Sequence, residues 1–203
     1  MKIFESKVYE DILKEIGFED LGHVLDAGCG DGHWARALYN IGNDVIGIDT
    51  NFDSIVKAKE HSEYDMPNLR GTYFYQCNME DEFDIRRFMW PHKTLDGIFA
   101  YSSIFLSNDW ILSDWIRKLR IFYGLLKPGG LLYFTTDGLG WYLDNILHRR
   151  WHRFSFTAEV MSPKKTIKKM ELIGFEDIEI LKDPLYDLKW HGLDNVFAVR
   201  ARK

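Results

Sequence analysis

Ten residues, His23-Val24-Leu25-Asp26-Ala27-Gly28-Cys29-Gly30-Asp31-Gly32, constrain this chain more than any others. Val24, Leu25 and Ala27 read as the end of a buried strand, and His33-Trp34-Ala35-Arg36-Ala37-Leu38 has the composition of a helix that begins at once. The three glycines mark the turn between them. A strand-to-helix turn without side chains lets a ligand reach backbone N–H groups at a helix N-terminus, where unpaired donors and partial positive charge gather. Such a junction is a hallmark of α/β folds, in which it also occurs as a purely structural turn.

The spacing narrows the ligand. A dinucleotide fingerprint reads G-x-G-x-x-G, whereas this turn reads G-x-G-x-G with His33 where the third glycine would fall. Two acids frame the turn: Asp26, just before it, and Asp49, about twenty residues on. Glycines and acids together resemble motif I and the following acidic residue of the class I S-adenosylmethionine-dependent methyltransferases. The resemblance implies S-adenosyl-L-methionine as cofactor, with Asp26 near its methionine ammonium. It places Gly28, Gly30 and Gly32 beneath the cofactor and Asp49, followed by Thr50, on the ribose hydroxyls.

The remaining chain reads as alternating helices and strands. Apolar residues recur at helical spacing from Ile3 to Ile16, and Gly17 stops that helix. Val45-Ile46-Gly47-Ile48 is a short buried strand ending at Asp49, and Thr50 or Asn51 can cap the helix that runs on through Lys59. The β-formers of Gly71 to Cys77 deliver Asn78 and Met79 to the same sheet edge. In the family the residue near Asn78 is an aspartate that bonds the adenine amino group; an asparagine can accept that bond through its amide oxygen. Leu95 to Phe105 is a fourth strand and its exit, similar to the family's motif IV, whose opening aspartate is structural and whose last residues, here Ala100 and Tyr101, face the transferred methyl. The exit lacks the Asn/Asp-Pro-Pro-Tyr of enzymes that methylate amino groups of DNA bases or glutamine side chains, and it looks more like that of small-molecule enzymes. Trp110, Trp115, Leu119, Phe122 and Leu126 form a core stripe on a helix with Ser107-Asn108-Asp109 available as caps. Leu125-Leu126-Lys127-Pro128-Gly129-Gly130 then reads as a helix stop and turn before a fifth strand, a second signature of the family. Ser162-Pro163 caps a last helix, ended by Gly174-Phe175, and two closing strands run through Ile178 to Ile180 and Val196 to Val199. The resemblance covers His23 to the C-terminus. It implies a Rossmann-like three-layer α/β/α sandwich around a seven-stranded, mostly parallel sheet of order 3-2-1-4-5-7-6 with an antiparallel last strand.

A length of 203 residues fits one domain. Residues 137–162 leave the fifth strand at the binding edge and mix rings with cations, as a lid over a pocket would. Trp141, Tyr142 and Arg149, with Tyr101, are candidate acceptor contacts. The transfer needs no acid to expel a neutral thioether, so a base matters only where the acceptor must lose a proton. Asp137, His148 and His152 are candidates for that base. A formal net charge of -5 disfavours RNA as the acceptor and leaves a small molecule as the first reading, with RNA or a protein side chain second. A non-catalytic cofactor-binding module is the alternative of a different class. Two cysteines in unlike settings make neither a disulfide framework nor a metal site. With no secretory signal or membrane-length apolar run, a cytoplasmic protein of unassigned oligomeric state is expected.

Overall fold

The structure is a computed structural model that describes residues 4–65, 72–89, 93–101, 103, 112–136, 163–182 and 197–203. Its strands are β1 (His23–Ala27), β2 (Asp44–Asp49), β3 (Thr72–Gln76), β4 (Leu95–Ala100), β5 (Leu126–Thr136), β6 (Glu176–Lys182) and β7 (Phe197–Arg202). The helices are α1 (Phe4–Glu15), α2 (His33–Asn40), α3 (Phe52–Asp65), α4 (Glu82–Phe88), α5 (Leu112–Leu125) and α6 (Pro163–Ile173). The strands form one sheet in the order β3-β2-β1-β4-β5-β7-β6, parallel from β3 to β5, with β7 antiparallel to both neighbours. This is the sheet that the resemblance implies. Its order reverses between β1 and β4, the place where an open α/β sheet leaves a crevice at its carboxyl edge.

Both faces of the sheet are covered, which is why the central strands read as near-continuous apolar runs. Leu25, Ala27, Ile48, Ile98 and Ala100 point into one core with Trp115, Leu119, Phe122 and Leu125 of α5 and Met170 of α6. Val24, Val45 and Phe99 point into the other with Leu13 of α1, Ala35 and Leu38 of α2, and Ile55 and Ala58 of α3. By the period of two, Asp26 lies on the second face, toward α2. Burying a side chain such as Leu25 or Phe99, each 0% exposed, contributes about 1.5–3 kcal/mol.

Side-chain bonds pin the edge opposite the crevice. Asp96, the second residue of β4, accepts the His23 N–H at 2.7 Å while pairing with Lys127 of β5, the structural part expected of it. Asn43 is buried and uses its whole amide: Oδ1 accepts from the N–H of Leu21 and Gly22, and Nδ2 donates to the carbonyls of Phe18 and Leu38. The latter two distances are both 2.8 Å.

Two segments differ from the sequence reading. Helix α4, capped by the Asp81 side chain accepting from Asp84 N–H at 3.1 Å, was not among the elements expected. Its only buried residue is Ile85, too little apolar pattern to mark a helix in the sequence. The expected turn at Pro128-Gly129-Gly130 lies inside the span of β5, where Gly129 takes φ +76° and the register slips from Leu95↔Leu126 to Gly97↔Leu131. The chain's end fastens it: Gly129 N–H donates to Lys203 O at 2.6 Å and Lys203 N–H to Gly130 O at 3.1 Å. Proline and glycine signal a break in pairing, and here the break is a bulge rather than a reversal. The proposed caps Ser107, Asn108, Asp109 and Ser162, with Trp110, lie outside the described residues. Asn51, of the two candidates at its helix, is the cap observed, Oδ1 accepting from Ser54 N–H at 3.2 Å.

Candidate functional site

The carboxyl edge at β1 and β2 is built from the glycine turn outward. Gly28, Gly30 and Gly32 all take positive φ, +83°, +51° and +80°. At Gly28 the need is doubled, because a Cβ there would run into the side chain of Ser103, whose Oγ donates to Ala27 O. Gly30 differs: nothing lies within 4 Å of where its Cβ would be, so its face is open. The turn hangs from β2. Gly28 and Cys29 N–H both donate to Ile48 O, at 2.7 and 2.9 Å, and Gly30 N–H donates to Asp49 Oδ2 at 2.9 Å.

Asp49 thus stands at the end of β2 with Oδ2 on Gly30 N–H and Oδ1 accepting from Asn51 N–H at 2.8 Å. Each carboxylate oxygen keeps a further lone pair, enough for a diol. Asp26 is placed otherwise. It is 2% exposed, and Oδ2 has no hydrogen-bond partner. Burial first, and then the negative charge of Asp49, push its carboxyl up to about 8, only partly opposed by the Ala35 N–H. A buried, incompletely bonded carboxyl costs stability until a partner arrives, and a cation approaching along the open glycine turn is such a partner. The site therefore fits a ligand that carries positive charge at one end and a diol at the other.

Around this centre, Thr50 is exposed and accepts from Gln76 Nε2 at 3.1 Å through its carbonyl. Asn78 is exposed, with Oδ1 accepting from Glu80 N–H at 3.0 Å, so one acceptor position of the expected adenine contact is already taken. Met79 packs on the core edge. Asn78 also lines a groove of about 570 Å³ with Glu80, Asp81, Glu82, Arg117 and Ile121. Ala100 is 0% exposed, packed in the first core at the end of β4. Tyr101, just past β4, packs against Trp34 with ring centroids 5.0 Å apart, and Trp34 packs in turn against Tyr9 of α1 at 4.5 Å. Trp34 and Tyr9 were not singled out in the sequence; a helical period marks them as packing residues, and only the fold brings them beside Tyr101. Burial pushes the thiols of Cys29 and Cys77 up, the latter to about 11, so neither is a thiolate at neutral pH. Asp137, Trp141, Tyr142, His148, Arg149 and His152 lie outside the described residues. Among the described residues no group of three or more His, Cys, Asp or Glu is placed to hold a metal ion.

The family model of the methyltransferase domain matches residues 1–180 of this chain. The chain belongs to that family, as a class I enzyme that takes its methyl group from S-adenosylmethionine. A ubiquinone biosynthesis O-methyltransferase of Coxiella burnetii is 27% identical over 186 residues, covering 86% of this chain and 70% of that protein. An S-adenosylmethionine-dependent methyltransferase from Clostridium acetobutylicum superposes with a TM-score of 0.70 at 11% identity, over 98% of this chain and 92% of the other. Phosphoethanolamine N-methyltransferase 2 of Haemonchus contortus, in complex with S-adenosyl-L-methionine, superposes with a TM-score of 0.68 at 17% identity, over 97% of this chain and 52% of that one. At these identities the two structures establish the shared fold.

Proposed function

We propose that this methyltransferase acts on a small molecule, foremost at a hydroxyl oxygen. The observation that carries the cofactor half of the reading is the orphaned Asp26 carboxyl beside an open glycine turn at the sheet's switch point. The acceptor half is supported by the O-methyltransferase relative and by the rings of Tyr9, Trp34 and Tyr101, an apolar wall at the exit of β4.

In this reading Asp26 takes the methionine ammonium, Gly28, Gly30 and Gly32 leave room for the chain of atoms above them, and Asp49 takes the ribose hydroxyls. Thr50, Asn78 and Met79 border the adenine, and Ala100 and Tyr101 border the methyl. When bound, the cofactor supplies an electrophilic methyl on a sulfonium that departs as a neutral thioether. The protein's own contribution is placement and exclusion of water, effects worth up to ~7–11 kcal/mol in well-oriented systems. Residues 137–162 follow β5 from the same edge and are assigned as the lid, with Trp141, Tyr142 and Arg149 toward the acceptor. Asp137, His148 or His152 serves as base where the hydroxyl must lose its proton. A single domain in the reducing cytoplasm completes the reading; Cys29 and Cys77 are free and buried, and no described helix is long and apolar enough to cross a membrane.

The test is thermal unfolding with S-adenosylhomocysteine, which should raise the midpoint where NADH does not. Asp49→Ala should keep the fold and lose that gain; calorimetry showing unchanged binding would reject the ribose assignment. Methyl transfer measured against phenols, aliphatic alcohols, amines and RNA then reads the acceptor class.

A further inference from the structure

We infer that Asp26 is held as a neutral carboxylic acid in the free protein and gives its proton to solvent when the cofactor's ammonium docks, so that uptake of one cofactor releases one proton. The inference rests on the cofactor reading above.

The geometry disfavours a charge on Asp26. Its side chain is buried, Oδ2 lacks a partner, and the Ala35 N–H is the donor that acts on it. The groups around it do not neutralise a charge there. From β2 comes a second carboxylate, Asp49, already tied to Gly30 and Asn51. From the glycine turn come the Cys29 thiol and Asp31, the latter 4.0 Å from Lys57 of α3. From α2, Arg36 donates from its guanidinium to Asp31 O at 3.1 Å and meets His33 Nδ1 at 2.7 Å. At the exit of β4, Tyr101 stacks in the aromatic wall. Among the described residues no cation pairs with Asp26. Two acids on one dry edge cannot both ionise cheaply, and the buried one keeps its proton. Its carboxyl pushed up to about 8 agrees with this. An ammonium placed on Oδ2 reverses the balance: the O–H bond breaks, the proton leaves to buffer, and a charge-assisted pair remains.

The experiment is titration calorimetry of the full chain with S-adenosylhomocysteine at pH 6.5 and 7, where the ligand's ammonium stays protonated, in buffers of differing ionisation heat. The expected result is close to one proton released per ligand. Affinity should also tighten with pH by up to about tenfold per unit as pH approaches 8. Asp26→Asn, checked for folding by circular dichroism, should bind more weakly and release no proton. Binding by the wild type with heat independent of buffer overturns the inference while leaving the cofactor reading intact. Proton release that persists in Asp26→Asn assigns it elsewhere and overturns it as well. A wild type that does not bind at all overturns the cofactor reading itself, and the inference falls with it.

Discussion

Gly28 and Gly30 sit two residues apart in one turn, yet the same substitution should act on them differently. Gly28→Ala puts a Cβ into Ser103 at φ +83°, and strain of about 1–3 kcal/mol plus the lost Ser103 contact should be read as lower stability in denaturant unfolding. Gly30→Ala meets nothing within 4 Å at φ +51°, a left-handed conformation that costs a non-glycine residue only about 1–2 kcal/mol. Its larger effect should be on the ligand, with S-adenosylhomocysteine binding weakened at least tenfold, on the order of 1.4 kcal/mol, in calorimetry. The glycines, Asp26 and Asp49 were legible in the sequence because each marks a strand end, where period and turn chemistry are local. Ser103 was not, since its bond to Ala27 spans 76 residues and no short-range pattern announces it. Asn78 was legible as a position at the edge, but its side-chain bond to Glu80 N–H belongs to a turn visible only in the fold.

Helices and strands are fastened to one another by single polar side chains at the edge away from the crevice. Asn43 satisfies four backbone groups from the chain between α1 and β1 and from the end of α2. Asn43→Ala strands three of them where water reaches poorly, the Leu38 carbonyl keeping the N–H of residue 43 at 3.3 Å, so a loss of roughly 2–4 kcal/mol is expected. Asn43→Asp should fare little better, because its second oxygen would face the carbonyls of Phe18 and Leu38; chemical denaturation of both variants checks this. Gly42-Asn43-Asp44 has the composition of a turn, and nothing in that composition shows that Asn43 is its buried fastener. Most elements were legible at this scale because strands buried on both faces read as apolar runs and amphipathic helices as stripes. Helix α4 escaped because Ile85 alone points inward, although Asp81 and Asp84 carry the capping signal. At Pro128 to Gly130 local chemistry said turn, and Gly129 does turn, at φ +76°; what the sequence did not show is that the chain's last residues hold that turn inside a strand.

At the scale of the whole molecule, burial of an acid makes stability and ligand binding depend on pH together. The Asp26 carboxyl is raised from 3.8 to about 8 on folding. Its contribution to stability is complete below pH ~4, the unfolded value, and is lost as pH climbs through the folded one. A docked cation removes that loss. The rise in unfolding midpoint caused by saturating S-adenosylhomocysteine should therefore widen from pH 6 to pH 8 in the wild type and stay level in Asp26→Asn, as differential scanning calorimetry would show. Strand order could be carried over from the family resemblance, because two signatures about a hundred residues apart placed β1 and β5; the proton balance could not, because it depends on which charges the folded edge brings near. One further consequence comes from the way the turn is suspended. With Gly28 and Cys29 hung on the carbonyl of Ile48, and Gly30 on the carboxylate one residue later, bend and strand end form a single rigid jaw. The gap across that jaw is a fixed gauge, and a cofactor analogue with one extra methylene in its amino-acid arm would be refused on length alone while keeping every functional group of its parent.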